Sequence, residues 1–238
     1  MTRFDILSLF PDYFVGPFNV SIIKRAQENG LLKIALINIR DFAKGKYRQV
    51  DDRPYGGGPG MVLMAEPVIK AIRSVKSQES HVIYLSPQGK PLTAKKCAQL
   101  SNNRHLILLC GHYEGIDERI IESGIVDEEI SIGDYVLTCG GAAAVVLVDA
   151  VSRFIPGVIG NKEGPKQDSF ENGVFDVPLY TRPLRFEKWT VPSVLLTGNH
   201  KKIQCWRREQ VKKKMKRMRP ELLKIEEKVL DYESRSVN

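Results

Sequence analysis

Over the first 135 positions of the chain, short runs of β-branched and other apolar residues alternate with longer stretches whose apolar positions recur every three or four residues. That pattern predicts strands joined by crossover helices into a largely parallel sheet. FDILSLF (4–10), KIALINI (33–39), HVIYLSP (81–87) and HLILLCG (105–111) are the strands it marks. SIIKRAQENG (21–30) and AEPVIKAIRSVKSQ (65–78) read as amphipathic helices, the first closed by Gly30. PLTAKKCAQLSN (91–102) reads as a third, with Thr93 as its N-cap. EEISIGDYVLT (128–138) predicts a shorter strand running into a loop, and GGAAAVVLVDAVSRF (140–154) a strongly apolar helix stopped by Pro156-Gly157.

Beyond that helix the pattern changes. NKEGPKQDSFENG (161–173) is polar with one bulky apolar residue, and VPLYTRPLRFEKWTVP (177–192) is dotted with proline. The expected organisation is an α/β domain over 1–160, a flexible linker over 161–173, and a small, mainly helical domain over 174–238. Charge supports the division. Residues 1–180 hold 20 Lys+Arg against 21 Asp+Glu, and 181–238 hold 16 against 7, so the net charge of +8 arises from −1 and +9. HKKIQCWRREQVKKKMKRMRP (200–220) predicts a helix with Ile203, Trp206, Val211, Met215 and Met218 facing a core. Lys201, Arg207, Arg208, Lys212 and Lys216 are expected on the opposite face, with Lys213 and Lys214 beside them, as a field suited to phosphates. No lipid-facing apolar ridge remains, which favours nucleic acid over a membrane surface.

Cys97, Cys110, Cys139 and Cys205 lie far apart, without metal-ligand spacing, so a reduced, cytoplasmic setting and no metal centre are expected. Four loops stand out: RPYGGGPGM (53–61), LSPQGKP (85–91), CGHYEGID (110–117) and SIGDYVLTCGG (131–141). Three of them leave strand-like runs, where ligands of α/β sheets collect, and their glycines allow backbone to approach a ligand closely. The chain carries neither G-x-x-x-x-G-K-[ST], nor G-x-G-x-x-G after its first strand, nor G-x-S-x-G. A P-loop kinase, a conventional dinucleotide-binding dehydrogenase and a Ser-His-Asp hydrolase are therefore disfavoured. Of the histidines, His81 and His105 read as ordinary strand-edge residues and His112 as one shaping its loop.

RPYGGGPGM, YLSPQGKPLT, LCGHYEGIDER, EISIGDYVLT, DAVSRFIPGV and DSF, in this order, resemble the bacterial tRNA (guanine-N1)-methyltransferase family of SPOUT methyltransferases. FPDYF, YTRP and MRPELL extend the likeness along the chain. The resemblance implies a deep trefoil knot, an exception to the rule that chains are unknotted, and a homodimer with an active site shared between subunits. It implies tRNA as substrate, methylated at N1 of the guanine immediately 3′ of the anticodon, and S-adenosylmethionine as methyl donor. By the same likeness the donor is held by Tyr84, Leu85, Ser86, Pro87, Gln88 and Gly89; by Gly111, Tyr113, Glu114 and Gly115; and by Ser131, Ile132, Gly133, Asp134, Tyr135, Val136 and Leu137, with Gly140.

Guanine N1 carries a proton at neutral pH, so its methylation requires a base while negative charge gathers on O6. The likeness places the base at Asp168 and a helper at Arg153, acting on O6 or on the bent shape of the cofactor. On the residues alone, a cap or linker role is the preferred reading of Asp168, and a pairing with Asp149 one turn earlier is the alternative for Arg153. The family is also associated with Mg²⁺, towards which Glu114 could act, although no carboxylate cluster predicts a cage. One departure is plain: where the family usually reads Leu-Thr-Gly-Gly-Glu, this chain reads Leu137-Thr138-Cys139-Gly140-Gly141. Two other readings stay open from sequence: a SPOUT enzyme acting on rRNA or on ribose, and a nonenzymatic RNA-binding protein using the basic tail.

Overall fold

The computed structural model describes residues 1–160, 170 and 175–222. The chain divides into two compact units, Met1–Lys162 and Glu163–Asn238.

The first unit is built on five strands, β1 (Thr2–Ser8), β2 (Leu32–Asn38), β5 (Ser80–Pro91), β6 (His105–Cys110) and β7 (Glu128–Ser131), in the order β2-β1-β6-β5-β7 and parallel throughout. Period-2 alternation sends successive side chains to opposite faces. Phe4 and Ile6 of β1, Ile83 and Leu85 of β5, and Leu106 and Leu108 of β6 join one core cluster. Leu7, Val82, Tyr84, Ile107 and Leu109 join the other. Helices α2 (Ser21–Glu28), α4 (Ala94–Leu100) and α6 (Gly141–Ser152) cover the first face, contributing Ile23, Leu100, Leu147 and Val148. Helices α3 (Ala65–Val75) and α5 (Arg119–Glu122) cover the second with Val68, Ile72 and Ile120. Burial on both faces explains why the strands read as nearly unbroken apolar runs. A one-turn helix, α1 (Val15–Phe18), and a two-stranded ribbon of β3 (Asp51–Asp52) and β4 (Val62–Leu63) complete the unit.

Local chemistry sets the boundaries. Gly30 follows α2 with φ 67°, and Thr93 accepts a hydrogen bond from the Lys96 amide at 3.2 Å, as the cap rules require. His105 is not an ordinary edge residue: it is buried, with Nε2 3.0 Å from the fully buried Asp5 carboxylate and Nδ1 2.7 Å from Ser80 Oγ. Arg3 donates to the same carboxylate at 2.8 Å, so this buried charge is paired from two sides. His81 bonds Glu128 at 2.7 Å across the β5/β7 seam.

The LSPQGKP stretch differs from a simple turn, because β5 continues through it to Pro91. Ile130 of β7 pairs with Leu85 and again with Lys90, and the Leu92 amide donates to Ser131 O at 2.8 Å. Residues 86–89 thus wrap closely around β7. A Cβ on Gly89 would lie 2.5 Å from both the Glu129 carbonyl carbon and the Ile130 nitrogen.

In the second unit, β8 (Arg185–Phe186) and β9 (Trp189–Thr190) form an antiparallel hairpin turning at Glu187, whose φ is 52°. Helix α7 (His200–Met218) follows, its first turn capped by Asn199, which accepts from the Lys202 amide at 3.1 Å. Val211 and Met215 are buried, Ile203 and Trp206 half-buried, and Trp206 lies 6.3 Å from the ring of Tyr180. Met218, expected in the core, is 57% exposed, since α7 ends at that residue. Arg207 is exposed, as expected. It lines an apolar hollow with Ile203, Leu184, Val191 and Leu195. Lys201, Arg208, Lys212, Lys213 and Lys216 are exposed, as is Lys214, whose ammonium lies 5.8 Å from the centre of the Phe175 ring.

Candidate active site

The carboxyl ends of β6 and β7 and the middle of β5, from Tyr84 to Pro87, meet at one cleft on the side of the sheet where the α/β rule expects a ligand. Its space, open mouth included, is about 660 Å³. The residues after Tyr84 contribute Leu85, Ser86 and Pro87; the loop after β6 contributes Gly111, Tyr113, Glu114 and Gly115; and the loop after β7 contributes Ser131, Ile132, Gly133, Tyr135, Val136, Leu137 and Gly140. Ile130, Thr138, Cys139 and Ala143 line it as well, and so does His112, between Gly111 and Tyr113 in the loop after β6. Gln88, Gly89 and Asp134 do not line the cleft. Gln88 and Asp134 are exposed, and Gly89 lies against the backbone of β7 instead.

Glycines let the walls close. A Cβ on Gly140 would stand 2.9 Å from Cys110 Cα and from the Gly111 nitrogen, where the Gly140 amide donates to Gly111 O at 2.8 Å. The start of α6 is thereby fastened to the end of β6. A Cβ on Gly111 would stand 3.1 Å from the Tyr84 hydroxyl. Ser131 Oγ accepts from the Gly133 amide at 3.1 Å and donates to Gly133 O at 3.0 Å, fixing the turn that presents Ile132 and Tyr135. Tyr113 takes φ 57°, a left-handed conformation that non-glycine residues rarely adopt. At Gly141, where the family pattern carries an acid, the ring of Tyr13 comes within 2.9 Å of the position a Cβ would occupy.

RPYGGGPGM packs onto the loop after β6. The Glu114 amide donates to Met61 O and the Leu63 amide to Gly115 O, each at 3.0 Å. Gly56, Gly57, Gly58 and Gly60 all have positive φ, and a Cβ on Gly60 would run into the Glu114 side chain. The glycine run is thus needed for a turn and for room beside Glu114.

Burial holds two groups at and beside the cleft in their neutral forms. Burial, followed by the charges of Glu129 and Glu118, pushes the Tyr84 phenol up to about 12, so it remains protonated at neutral pH. Burial also pushes the Cys110 thiol up, leaving it unreactive. Buried His112 Nδ1 has no hydrogen-bond partner among the described residues. Tyr135, Val136 and Leu137 are apolar residues exposed at the mouth, Val136 by 84%.

Arg153 is an exposed residue at the C-terminal end of α6. The helix has 12 residues, about 18 Å at ~1.5 Å per residue, and only its first turn touches the cleft. Asp168 lies outside the described residues. No group of three or more His, Cys, Asp or Glu gathers as a metal site among the described residues, and none of their helices is long and apolar enough to cross a membrane.

The family model described as tRNA (Guanine-1)-methyltransferase TrmD matches residues 2–225. A tRNA (guanine-N(1)-)-methyltransferase of Protochlamydia amoebophila (strain UWE25) is 63% identical over 219 residues, covering 92% of this chain and 98% of the relative. Proteins with the same description from Chlamydia pneumoniae and Chlamydia caviae are 62% and 58% identical over 92% of this chain, which spans 60% and 61% of their lengths. Matched from its second residue to beyond α7, the chain belongs to the tRNA (guanine-1)-methyltransferase family.

Proposed function

We propose that this protein methylates N1 of the guanine immediately 3′ of the anticodon of tRNA, using S-adenosylmethionine, as a cytoplasmic homodimer whose active site is shared between subunits. The observation that carries the reading is the cleft itself. Loops from three motifs of the family converge there on glycine-narrowed walls, in a chain matched over residues 2–225. The cleft suits S-adenosylmethionine: half-buried Ile132 and exposed Tyr135 and Leu137 offer apolar surface to an adenine, and His112 Nδ1, without a partner among the described residues, offers it a polar contact. When bound there, the sulfonium group supplies an electrophilic methyl carbon. The double pairing of Ile130 supports a trefoil-knotted chain around the cleft.

In this reading Asp168 accepts the N1 proton as the methyl bond forms, and the planar guanidinium of Arg153 stabilises charge developing on O6. Since α6 carries Arg153 away from the cleft of its own chain, the base and the helper complete the site of a second subunit. Exposed Phe10, Tyr13 and Val146, on the segment before α1 and on the α6 helix it contacts, support that pairing of subunits. Mg²⁺, if used, would be held with substrate, because the described residues form no cage for it.

Incubation of a tRNA transcript with the protein and S-adenosylmethionine, followed by mass analysis of nucleosides, should yield 1-methylguanosine and no ribose-methylated product. Ribose or other-base methylation, or no cofactor binding by calorimetry, would overturn the reading. For the basic tail, the triple variant Lys212→Ala, Lys213→Ala, Lys214→Ala should lower tRNA affinity and reduce the slope of log affinity against log salt by ~2, at ~0.7–0.9 per phosphate contact. Cofactor binding should not change, and an unaltered salt slope would remove these lysines from the RNA surface.

A further inference from the structure

All ten residues from Thr181 to Thr190 are exposed, although they include Leu184, Phe186 and Trp189. The hairpin of β8 and β9 therefore places two large rings outside any core, Phe186 being 63% and Trp189 57% exposed. The two rings form a cross-strand pair, with planes within 12° of parallel and centroids 6.4 Å apart. Lys188 sets its ammonium 5.2 Å from the centre of the Trp189 ring, and Arg185 is exposed beside it. A strand pair only two residues long is not stabilised by its backbone alone, so these rings hold the hairpin while leaving ring surface open to solvent. Exposed aromatic rings interleaved with cations, in a segment carrying the chain's whole excess of positive charge, are the chemistry of base stacking joined to phosphate contact.

We infer that the hairpin 185–190 is a stacking platform for an unpaired nucleobase of the RNA substrate, with Phe186 and Trp189 meeting the base and Lys188 and Arg185 the adjoining phosphates. This rests on tRNA being the substrate, as proposed above. It adds a contact separate from the basic face of α7, and one that a duplex cannot make because its bases are already stacked.

The test uses the full-length protein. In a Trp206→Phe background Trp189 is the sole tryptophan, and its emission should be quenched as a tRNA transcript saturates the protein. The double variant Phe186→Ala, Trp189→Ala should bind that tRNA about tenfold more weakly, the order expected for one lost base stack, with its salt slope unchanged. Trp189→Phe should keep most of the affinity, and Lys188→Ala should lower the salt slope by about one contact, ~0.7–0.9. Binding of a fully duplex RNA should be the same in wild type and double variant. Unchanged tRNA affinity in the double variant overturns the platform while leaving the methyltransferase reading intact. A changed oligomeric state at constant RNA affinity overturns it in favour of a protein-facing patch. A wild-type protein that binds no tRNA overturns both.

Discussion

Asp168→Ala should lower the rate of N1 methylation of tRNA by ~10²–10⁴, the range that a positioned general base contributes. The expectation follows from the substrate rather than from the loop. Guanine N1 has its proton in place and its lone pair delocalised into the ring, so a methyl group cannot be accepted until a base takes that proton. Asp168→Asn preserves shape and removes basicity, and should fall in the same range. Neither change touches the cleft residues, so S-adenosylmethionine should bind each variant as it binds wild type. Single-turnover methylation at saturating cofactor separates the two effects, and a full-speed Asp168→Asn enzyme would end the assignment of the base. Arg153→Lys tests the partner role: the charge is kept while the planar fork is lost, and the rate should fall at unchanged cofactor affinity.

The second large effect concerns stability. Gly89→Ala should destabilise the first unit by at least ~1–3 kcal/mol, the usual cost of overpacking, because the added carbon would meet backbone rather than the movable end of a side chain. That corresponds to a fall in Tm of several degrees, at about 2–4 °C per kcal/mol for a domain of this size. Gly16→Ala is the matched control. A Cβ there has nothing within 4 Å, so the change should stay within about ±0.5 kcal/mol. Thermal melts of the two variants decide the matter: equal Tm values would mean that residues 86–89 do not pass close to β7.

The elements of the first unit were legible because local pattern and tertiary role agree. Phe4, Ile6 and Leu7 read as a strand since both faces of the sheet are covered, and Thr93 and Gly30 end their helices by chemistry that acts over three or four residues. Features that depend on distant partners were not legible. His105 looks like a strand-edge residue until the register of β1 against β6 places it beside Asp5, 100 positions earlier. Pro87 and Gly89 resemble turn residues, yet the glycine is there to let one backbone pass another. Periodicity assigns Met218 to the buried stripe, but a stripe is covered only where another element lies over it. Arg207 is solvated as its charge requires, and one turn after Ile203 it also borders the hollow beside that residue.

In the cleft, motif likeness found the three converging loops but not their exact reach. Gln88 and Asp134 belong to the motifs and project elsewhere, while Ala143, outside them, enters the cleft because the start of α6 forms part of its wall. Cys139 and Gly141 depart from the family pattern, and the structure accommodates both: the cysteine lies in the wall and Tyr13 fills the space beside the glycine.

The clasp on Ile130 also orders events during synthesis. A nascent chain released only as far as residue 127 can already bring β1, β2, β5 and β6 side by side, yet the bend of residues 86–91 would then enclose nothing. The segment that fills it emerges some forty residues later, ~2–8 s at bacterial elongation rates of about 5–20 residues per second. Until then the Leu85 edge of the sheet has no neighbour, and nascent chains stalled in that interval should be the ones most readily captured by chaperones.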